Sequence, residues 1–291
     1  MVRKLRWQLA LALAGVLGVA ILLVVFSNRA FEDRPARGGA LVEAVVGQPA
    51  VFNPLFAVDD SEQDIVRLLF SGLTRPGPDG TLRGDLATGW SLTDDRRTFT
   101  FQLRDGATWH DGEPVTSDDV VFTARLARAV ANDPRLSVVA SPYVRAWARV
   151  TASRLDERTV SLAVDEPYAP FLDATTLGVL PEHLLADVPA QDLPNHRFSR
   201  LEPIGTGRYR IDLPGGVAGD FVRLKRFDRH WDAGDRRPYL DEVTFRFYPT
   251  VASAVAALGE HEVQAMGDLP PDAVGVLGEN ARLYLAQQPG Y

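Results

Sequence analysis

The chain has 291 residues, of which 46% are hydrophobic and 24% are charged, a balance typical of a globular protein with a packed core. Its net charge of −7 gives no electrostatic reason to expect a nucleic-acid partner, because such proteins concentrate basic residues on one face. The absence of cysteine from the sequence excludes disulfides, thiolate metal sites, a cysteine nucleophile and an N-terminal cysteine for lipid attachment.

The N-terminal segment has the pattern of a signal anchor. Arg3, Lys4 and Arg6 precede 18 uncharged, mostly apolar residues at 9–26. The apolar part of a cleaved signal peptide usually runs for about 7 to 15 residues, whereas a spanning helix needs about 17 to 25. Because no small-x-small cleavage site follows, we expect an uncleaved transmembrane helix over residues 1–27, with a cleaved signal and a buried core helix as alternatives. The basic residues before the span favour a cytoplasmic N-terminus and an extracytoplasmic body.

The globular body is expected to begin near residue 40, after a charged linker at 28–39. The run at 40–47 predicts a short strand, and the apolar residues of 64–70 predict a helix packed on it. Residues 75–80 are rich in proline and glycine and predict a turn.

Residues 98–128 form the most informative stretch of the chain. Apolar and polar residues alternate at 98–103, which predicts a strand with one buried face, paired as a hairpin with residues 90–92. Asp-Gly pairs at 105–106 and 111–112 predict turns, because glycine takes positive φ freely and aspartate can bond to its own backbone.

A buried helix is predicted after these turns. Thr116 is its expected N-cap, and Asp119 completes a reciprocal capping box. Farther along, residues 145–150 and 159–164 are predicted to form a second strand pair.

The last third of the globular body shows three further strand patterns and one helix. Residues 209–213 and 221–227 are predicted to pair across a glycine-rich turn. Residues 243–248 predict another strand, and the small apolar residues of 251–258 predict a helix.

No residue pattern in the chain indicates an enzyme. His110-Asp111 resembles a base and its orienting carboxylate, but adjacent residues in an Asp-Gly turn seldom face one another, so we interpret the pair as part of a surface turn. The other histidines lack the spacing of a zinc site, and Gly205-Thr206-Gly207 is too short for a phosphate-binding loop. We therefore expect no catalytic residue, metal site or cofactor.

The segment LRDGATWHDGEPVTSDDVVF at 103–122 resembles the extracytoplasmic solute-binding proteins of family 5, which feed ABC importers of oligopeptides, dipeptides and nickel. Further matching segments are FNPLF at 52–56, LLFSGLTRPGPDG at 68–80, LATGW at 86–90, PIGTGRYRI at 203–211 and RHWDAGDRRPYLDEVTFRFYPT at 229–250. The resemblance implies an α+β first lobe of a two-lobed, type II periplasmic-binding-protein-like fold, with mixed sheets and packed helices, preceded by the transmembrane helix.

The resemblance also implies a set of ligand-binding residues on the first lobe: Ala57, Val58, Asp59, Asp60, Tyr143, Gly205, Thr206 and Gly207. The first four follow an Asn-Pro pair, after which peptide-binding members line their cleft. Tyr143 lies in an S-P-Y stretch, and a core aromatic is the alternative interpretation. The glycines belong to a G-T-G loop whose usual following proline is Arg208 here, which leaves ligand contact by that loop open.

The C-terminal part of the chain departs from the family. GEHEVQA at 259–265 stands where the family has s-G-E-x-D, with Gln264 in place of aspartate. In the family a second lobe follows this point at length. The resemblance therefore implies a first lobe at 40–265, with an inserted subdomain at about 75–185, and only the start of a truncated second lobe at 266–291.

The function implied by the resemblance is solute capture without catalysis. The chain is expected to bind peptides or related small solutes outside the cytoplasmic membrane and to deliver them to ABC permease subunits. A membrane-anchored sensory or interaction ectodomain without transport is the alternative, which a solitary gene would favour over an operon with permease and ATPase genes. The sequence leaves open whether the solute is a peptide, a nickel chelate or a sugar.

Overall fold

The computed structural model divides the chain at Arg37 into two units, and each is described by itself. The structure describes residues 15, 17–19, 37–77, 79–232, 237–267 and 269. Apart from residues 15 and 17–19, which are helical, the predicted anchor at 9–26 lies outside the described residues, as do most of the linker and of residues 266–291. No helix within these ranges combines the length and apolar character needed to cross a membrane.

The second unit, from Gly38 onward, contains strands and helices in mixed order. Its described strands are β1 (Ala40–Val46), β2 (Thr74–Pro76), β3 (Leu82–Gly84), β4 (Ala87–Leu92), β5 (Thr98–Leu103), β6 (Val150–Arg154), β7 (Thr159–Val164), β8 (Tyr209–Ile211), β9 (Val217–Ala218), β10 (Phe221–Arg226), β11 (Glu242–Tyr248) and β12 (Ala265–Met266). Its described α-helices are α1 (Asp60–Leu69), α2 (Ser117–Asn132), α3 (Phe171–Ala174), α4 (Glu182–Leu185), α5 (Arg197–Arg200) and α6 (Val251–Gly259). Short 3₁₀ helices cover Pro142–Trp147 and Leu193–Asn195.

A mixed sheet of six strands joins β1, at the start of the second unit, to strands from the C-terminal part of the described chain. Its order is β12-β1-β11-β10-β8, with β9 paired to β10. β1 runs parallel to both β11 and β12, and the remaining pairs are antiparallel. Ala44 of β1 packs in a small cluster with Ala254 and Ala257 of α6 and with Val263, because small side chains let the helix approach the sheet closely.

A second, antiparallel sheet has the strand order β4-β5-β7-β6. The alternation predicted for β5 is confirmed: Phe99, Phe101 and Leu103 are buried, whereas Gln102 faces outward. The predicted hairpin with β4 is present, and Trp90 lies opposite Phe101. α2 packs against β6 and against the 3₁₀ helix at Pro142–Trp147, which covers the apolar face of this sheet.

The predicted capping box of α2 is confirmed. The backbone N–H of Thr116 donates to Asp119 Oδ2 at 2.9 Å, and the other carboxylate oxygen of Asp119 accepts from the Glu182 N–H at 3.0 Å. Burial raises the pKa of Asp119, although these two hydrogen bonds favour its charged form. The same carboxylate therefore caps α2 and joins it to α4.

Two local predictions were wrong in detail, and one hairpin was missed. The turn predicted at 75–80 lies at the tip of the β2–β3 hairpin, whose strands were not predicted. The strand expected at 145–150 begins only at Val150, because Pro142 starts a 3₁₀ helix that buries Val144 and Trp147 at a spacing of one turn. The helix predicted at 64–70 begins earlier, at Asp60.

Candidate functional site

The second unit has an open groove with a volume of about 1280 Å³. Its walls are the exposed side of α1, the β2–β3 hairpin, the loop at 173–178 and Tyr143. Small-molecule pockets usually occupy about 300–1,000 Å³, so this groove can accommodate an extended solute.

The loop at 50–58, which contributes Ala57 to the groove, is held by the buried carboxylate of Glu62. Glu62 accepts hydrogen bonds from the backbone N–H groups of Ala50, Val51 and Val58, each at 3.1 Å. Asn53, also buried, accepts from the Leu55 N–H at 3.0 Å and donates to another part of the chain. These bonds satisfy backbone groups of a segment that belongs to no strand or helix, so the loop is rigidly positioned.

The structure brings together two of the predicted ligand-binding residues. Ala57 and Tyr143 both line the groove. The Ser141 N–H donates to Leu55 O at 2.8 Å, which fastens the S-P-Y stretch beside the Asn-Pro loop. Because Tyr143 is only partly buried, its ring faces the groove and also packs on the core.

The next three predicted residues lie at the N-terminus of α1 and are exposed. Val58 has 47% of its surface accessible, and Asp59 precedes the helix as its N-cap, with Asp60 in the first turn. They adjoin the groove through Ala57 but do not line it. Contact between these residues and a ligand stays a prediction.

The predicted Gly205-Thr206-Gly207 loop does not line the groove and packs against the C-terminal end of α1. The Gly207 N–H donates to Leu69 O at 2.8 Å, and Thr206 Oγ1 accepts from the Ser71 N–H at 3.2 Å. A Cβ atom added to Gly205 would lie 1.9 Å from Leu69 O, so only glycine fits there. These contacts are structural, and ligand contact by the loop stays a prediction.

His110 fastens the same loop from the other side. Its Nδ1 accepts from the Gly205 N–H and its Nε2 donates to Gly207 O, both at 3.1 Å, while its backbone N–H donates to Gly205 O at 2.9 Å. Burial lowers the pKa of His110 to about 4, so the ring is neutral at pH 7.

The interpretation of His110-Asp111 as a surface turn is therefore wrong for the histidine, because His110 is buried. Asp111 is exposed and contacts His183 Nε2 at 2.9 Å. The partners of the His110 ring lie 95 and 97 positions away in sequence, and no local pattern indicated them.

One end of the groove carries polar residues that the sequence analysis missed. Arg75, Asp85 and Arg208 all line it. Arg75 Nε lies 3.9 Å from Asp85 Oδ1, and Arg208 Nη2 donates to Asp232 Oδ2 at 2.6 Å. Burial raises the pKa of Asp85, opposed by a hydrogen bond from Ser71 and by the nearby arginines.

A smaller pocket of about 470 Å³ shares Tyr143 and Asp173 with the groove. Its other walls include Pro142, Tyr168 and Glu166. The two concavities are therefore adjacent, and Tyr143 separates them.

Comparison with known proteins places this geometry in a family. Residues 81–291 match the model for bacterial extracellular solute-binding proteins, family 5, in its middle part. The chain belongs to this family. The mixed sheets and packed helices of the second unit are those of family 5 binding proteins, which confirms the fold class to that extent.

The relatives of the chain are named as binding proteins. The oligopeptide-binding protein AppA of Bacillus subtilis is 31% identical over 242 residues, which cover 80% of this chain and 41% of AppA. The structure of AppA with a nonapeptide superposes with a TM-score of 0.68 at 27% identity, over 79% of this chain and 44% of that one. NikZ of Campylobacter jejuni in complex with Ni(L-His) superposes with a TM-score of 0.64 at 27% identity, over 77% of this chain and 42% of NikZ.

The chain spans less than half the length of each of these relatives. The names of these relatives are those of solute-binding proteins, and the absence of catalysis in this chain stays a prediction.

Proposed function

We propose that this chain is the solute-binding component of an ABC importer, which captures a peptide or a related small solute outside the cytoplasmic membrane and delivers it to permease subunits. The observation that carries the proposal is the groove lined by Ala57 and Tyr143 on a family 5 fold. The ligands in two related structures, a nonapeptide in AppA and a nickel–histidine complex in NikZ, are small solutes of this kind.

The proposed site is one wall of a cleft. We propose that residues 40–265 form the first lobe, with an inserted subdomain at about 75–185, and that residues 266–291 begin the second lobe. Binding would then bury the solute between lobes that close by a hinge motion. Residues 1–27 are proposed to anchor the chain in the membrane, with the linker at 28–39 leading to an extracytoplasmic body.

Solute recognition is proposed to use the backbone as well as side chains. Ala57 lines the groove but is buried, and the hydrogen bonds around Glu62 fix the loop that leads from it to the exposed residues at the start of α1. Val58, Asp59 and Asp60 continue this edge, and Tyr143 supplies an aromatic surface. Because main-chain hydrogen bonds do not depend on side-chain identity, such a site suits peptides of varied sequence.

Native mass spectrometry of the full chain with a random tripeptide pool tests the proposal. Retention of peptides is expected, and the Tyr143→Ala variant should retain less, because the partly exposed tyrosine ring lines the groove. The matched control is Tyr239→Ala, which removes an exposed tyrosine that does not line the groove. Absence of retained peptide, or equal retention by wild type and Tyr143→Ala, would contradict the proposal.

A further inference from the structure

The polar end of the groove contains a guanidinium group with unused hydrogen-bond donors. Arg75 projects from β2, and 28% of its side chain is accessible. Its nearest charged partner is Asp85, at 3.9 Å, and within the described residues its side chain donates no hydrogen bond. A guanidinium carries five N–H donors, and a half-buried one that leaves them unpaired is poised for an external acceptor.

Arg208 brings a second guanidinium to the same place. Its side chain is 35% accessible, and the bond from Nη2 to Asp232 at 2.6 Å fixes its orientation while leaving its other donors available. Arg75 lies 3.9 Å from Asp85, and Arg208 lines the same groove as this pair. The positive charges of Arg75, Arg208 and Arg104 oppose the rise that burial causes in the pKa of Asp85. The side chain of Asp85 is only 13% accessible.

The remaining charged residues of the groove have different surroundings. Arg67 is exposed and pairs with Asp64 at 2.9 Å, and Asp79 pairs with Arg83 at 2.9 Å. These pairs lie in solvent, where an ion pair contributes little. The strongest anion-binding potential is therefore at Arg75 and Arg208.

We infer that Arg75 and Arg208 bind a carboxylate group of the solute. The inference rests on the proposed function and names a chemical feature of the ligand. Planar guanidinium groups match a carboxylate through paired N–H donors, and partial burial strengthens such bonds relative to water. Because 3.9 Å is the outer limit of an ion pair, Asp85 balances the charge of Arg75 in the empty groove without occupying its donors.

Binding measurements with three synthetic peptides test the inference on the full chain. The probes are trialanine with a free C-terminal carboxylate, trialanine amide, and Ala-Glu-Ala amide. The first should bind about tenfold more tightly than the second. Preference for the third over trialanine amide would show that a side-chain carboxylate serves equally. All three carry the same N-terminal ammonium group, so they differ in their carboxylates.

Variants connect this preference to the two arginines. Arg75→Gln should abolish the preference for the acid, and Arg208→Gln should do the same. If Arg208→Gln folds poorly, Arg208→Lys replaces it, because the lysine retains the positive charge facing Asp232. Arg67→Gln is the matched control, because Arg67 also lines the groove, and it should keep the preference. Asp85→Asn should increase the preference, since it removes a competing carboxylate.

A probe without a peptide separates this inference from the proposed function. Succinate should shift the side-chain Nε–Hε NMR resonances of Arg75 and Arg208, even if no peptide binds. Peptide binding without any preference for the acid would overturn the inference and leave the proposed function standing. Equal weakening of acid and amide by Arg75→Gln would also overturn it, as would loss of every peptide in Asp85→Asn. If peptides do not bind and succinate shifts neither resonance, both proposals fail.

Discussion

Two polar clusters of the second unit, one around His110 and one around Arg75 in the groove, differ in how completely their hydrogen bonds are satisfied. Around His110, both ring nitrogens and the backbone N–H have partners on the Gly205–Gly207 loop. Around Arg75, the guanidinium has a single ion pair at 3.9 Å. The first cluster is buried and the second is half exposed. The difference separates polar residues that hold the fold from polar residues that are available to a ligand.

We expect the largest loss of stability when a side chain is added at Gly205, in the loop that His110 contacts. Gly205→Ala would place a methyl group against a helix carbonyl at 1.9 Å, and a backbone atom cannot move aside as a flexible side chain can. We expect a loss of more than about 3 kcal/mol in the free energy of unfolding, measured by urea denaturation. Gly219→Ala is the control, because nothing lies within 4 Å of its added Cβ. Similar stability of the two variants would contradict this account of the loop.

A slightly smaller effect is expected for the histidine itself. His110→Ala would leave the Gly205 N–H and Gly207 C=O buried without their partners and would open a cavity, at a cost of roughly 3 kcal/mol. The control is His183→Ala, since the His183 side chain is partly exposed and pairs with the Asp111 carboxylate, and its loss should cost less than about 1 kcal/mol. Equal costs for the two substitutions would remove the distinction between the clusters.

The same histidine should make stability depend on pH. The folded pKa of His110 is about 4, below its ordinary value of 6.5, so the unfolded chain takes up a proton first as the pH falls. Its contribution is complete above pH 6.5 and is lost as the pH falls toward 4. His230, whose pKa burial lowers to about 3, acts in the same direction. Asp85 and Asp119, whose pKa values burial raises, act in the opposite direction.

Thermal melting of wild type and His110→Gln between pH 7.5 and 4.5 isolates the histidine from these carboxylates. The wild type should lose more stability across this range than the variant. Identical slopes would show that His110 does not titrate as its burial requires.

Substitution of Thr116, the N-cap of α2, is expected to destabilise the chain less than changes in the His110 cluster and more than changes at Arg75. Thr116→Ala should lower the free energy of unfolding by about 1 kcal/mol, because the capping box of α2 loses its hydroxyl. Ser91→Ala, on an exposed position of β4, is the comparison and should change stability little. The free energies of unfolding of both variants are measured by urea denaturation. If Thr116→Ala is as stable as wild type, the cap does not stabilise α2.

The smallest effect on stability is expected at the second cluster. Arg75→Gln should stay within about 0.5 kcal/mol of wild type, because no hydrogen bond depends on the guanidinium within the described residues. A destabilisation of 2 kcal/mol or so in the same urea experiment would instead give Arg75 a structural role like that of His110.

The parts of the fold that could be predicted from the sequence are those whose contacting residues lie close together along the chain. The strand, turns and cap between residues 98 and 119 were predicted because each contact joins near neighbours in the chain. The β2–β3 hairpin was missed because its strands have three residues each and show no usable alternation. The strand predicted at 145–150 failed because a proline-led 3₁₀ helix buries the same apolar residues.

The candidate site was predicted only in part. Ala57 and Tyr143 line the groove, and they followed from a family resemblance and not from any local pattern. Arg75 and Asp85 meet Arg208 across more than a hundred residues of intervening chain, and periodicity carries no information about such a meeting. The burial of His110 was missed for the same reason.

The place of β1 in the large sheet has a consequence for the rate of folding. β1 is flanked on both sides by strands from the far end of the described chain, and the Gly39 N–H reaches Asp241 across 202 residues of sequence. During synthesis β1 therefore waits, unpaired, until β11 and β12 have been made. Contacts of such long sequence separation slow folding and leave strand edges open to other chains meanwhile. We therefore expect the chain to fold in a late, concerted step, after β11 and β12 have been made.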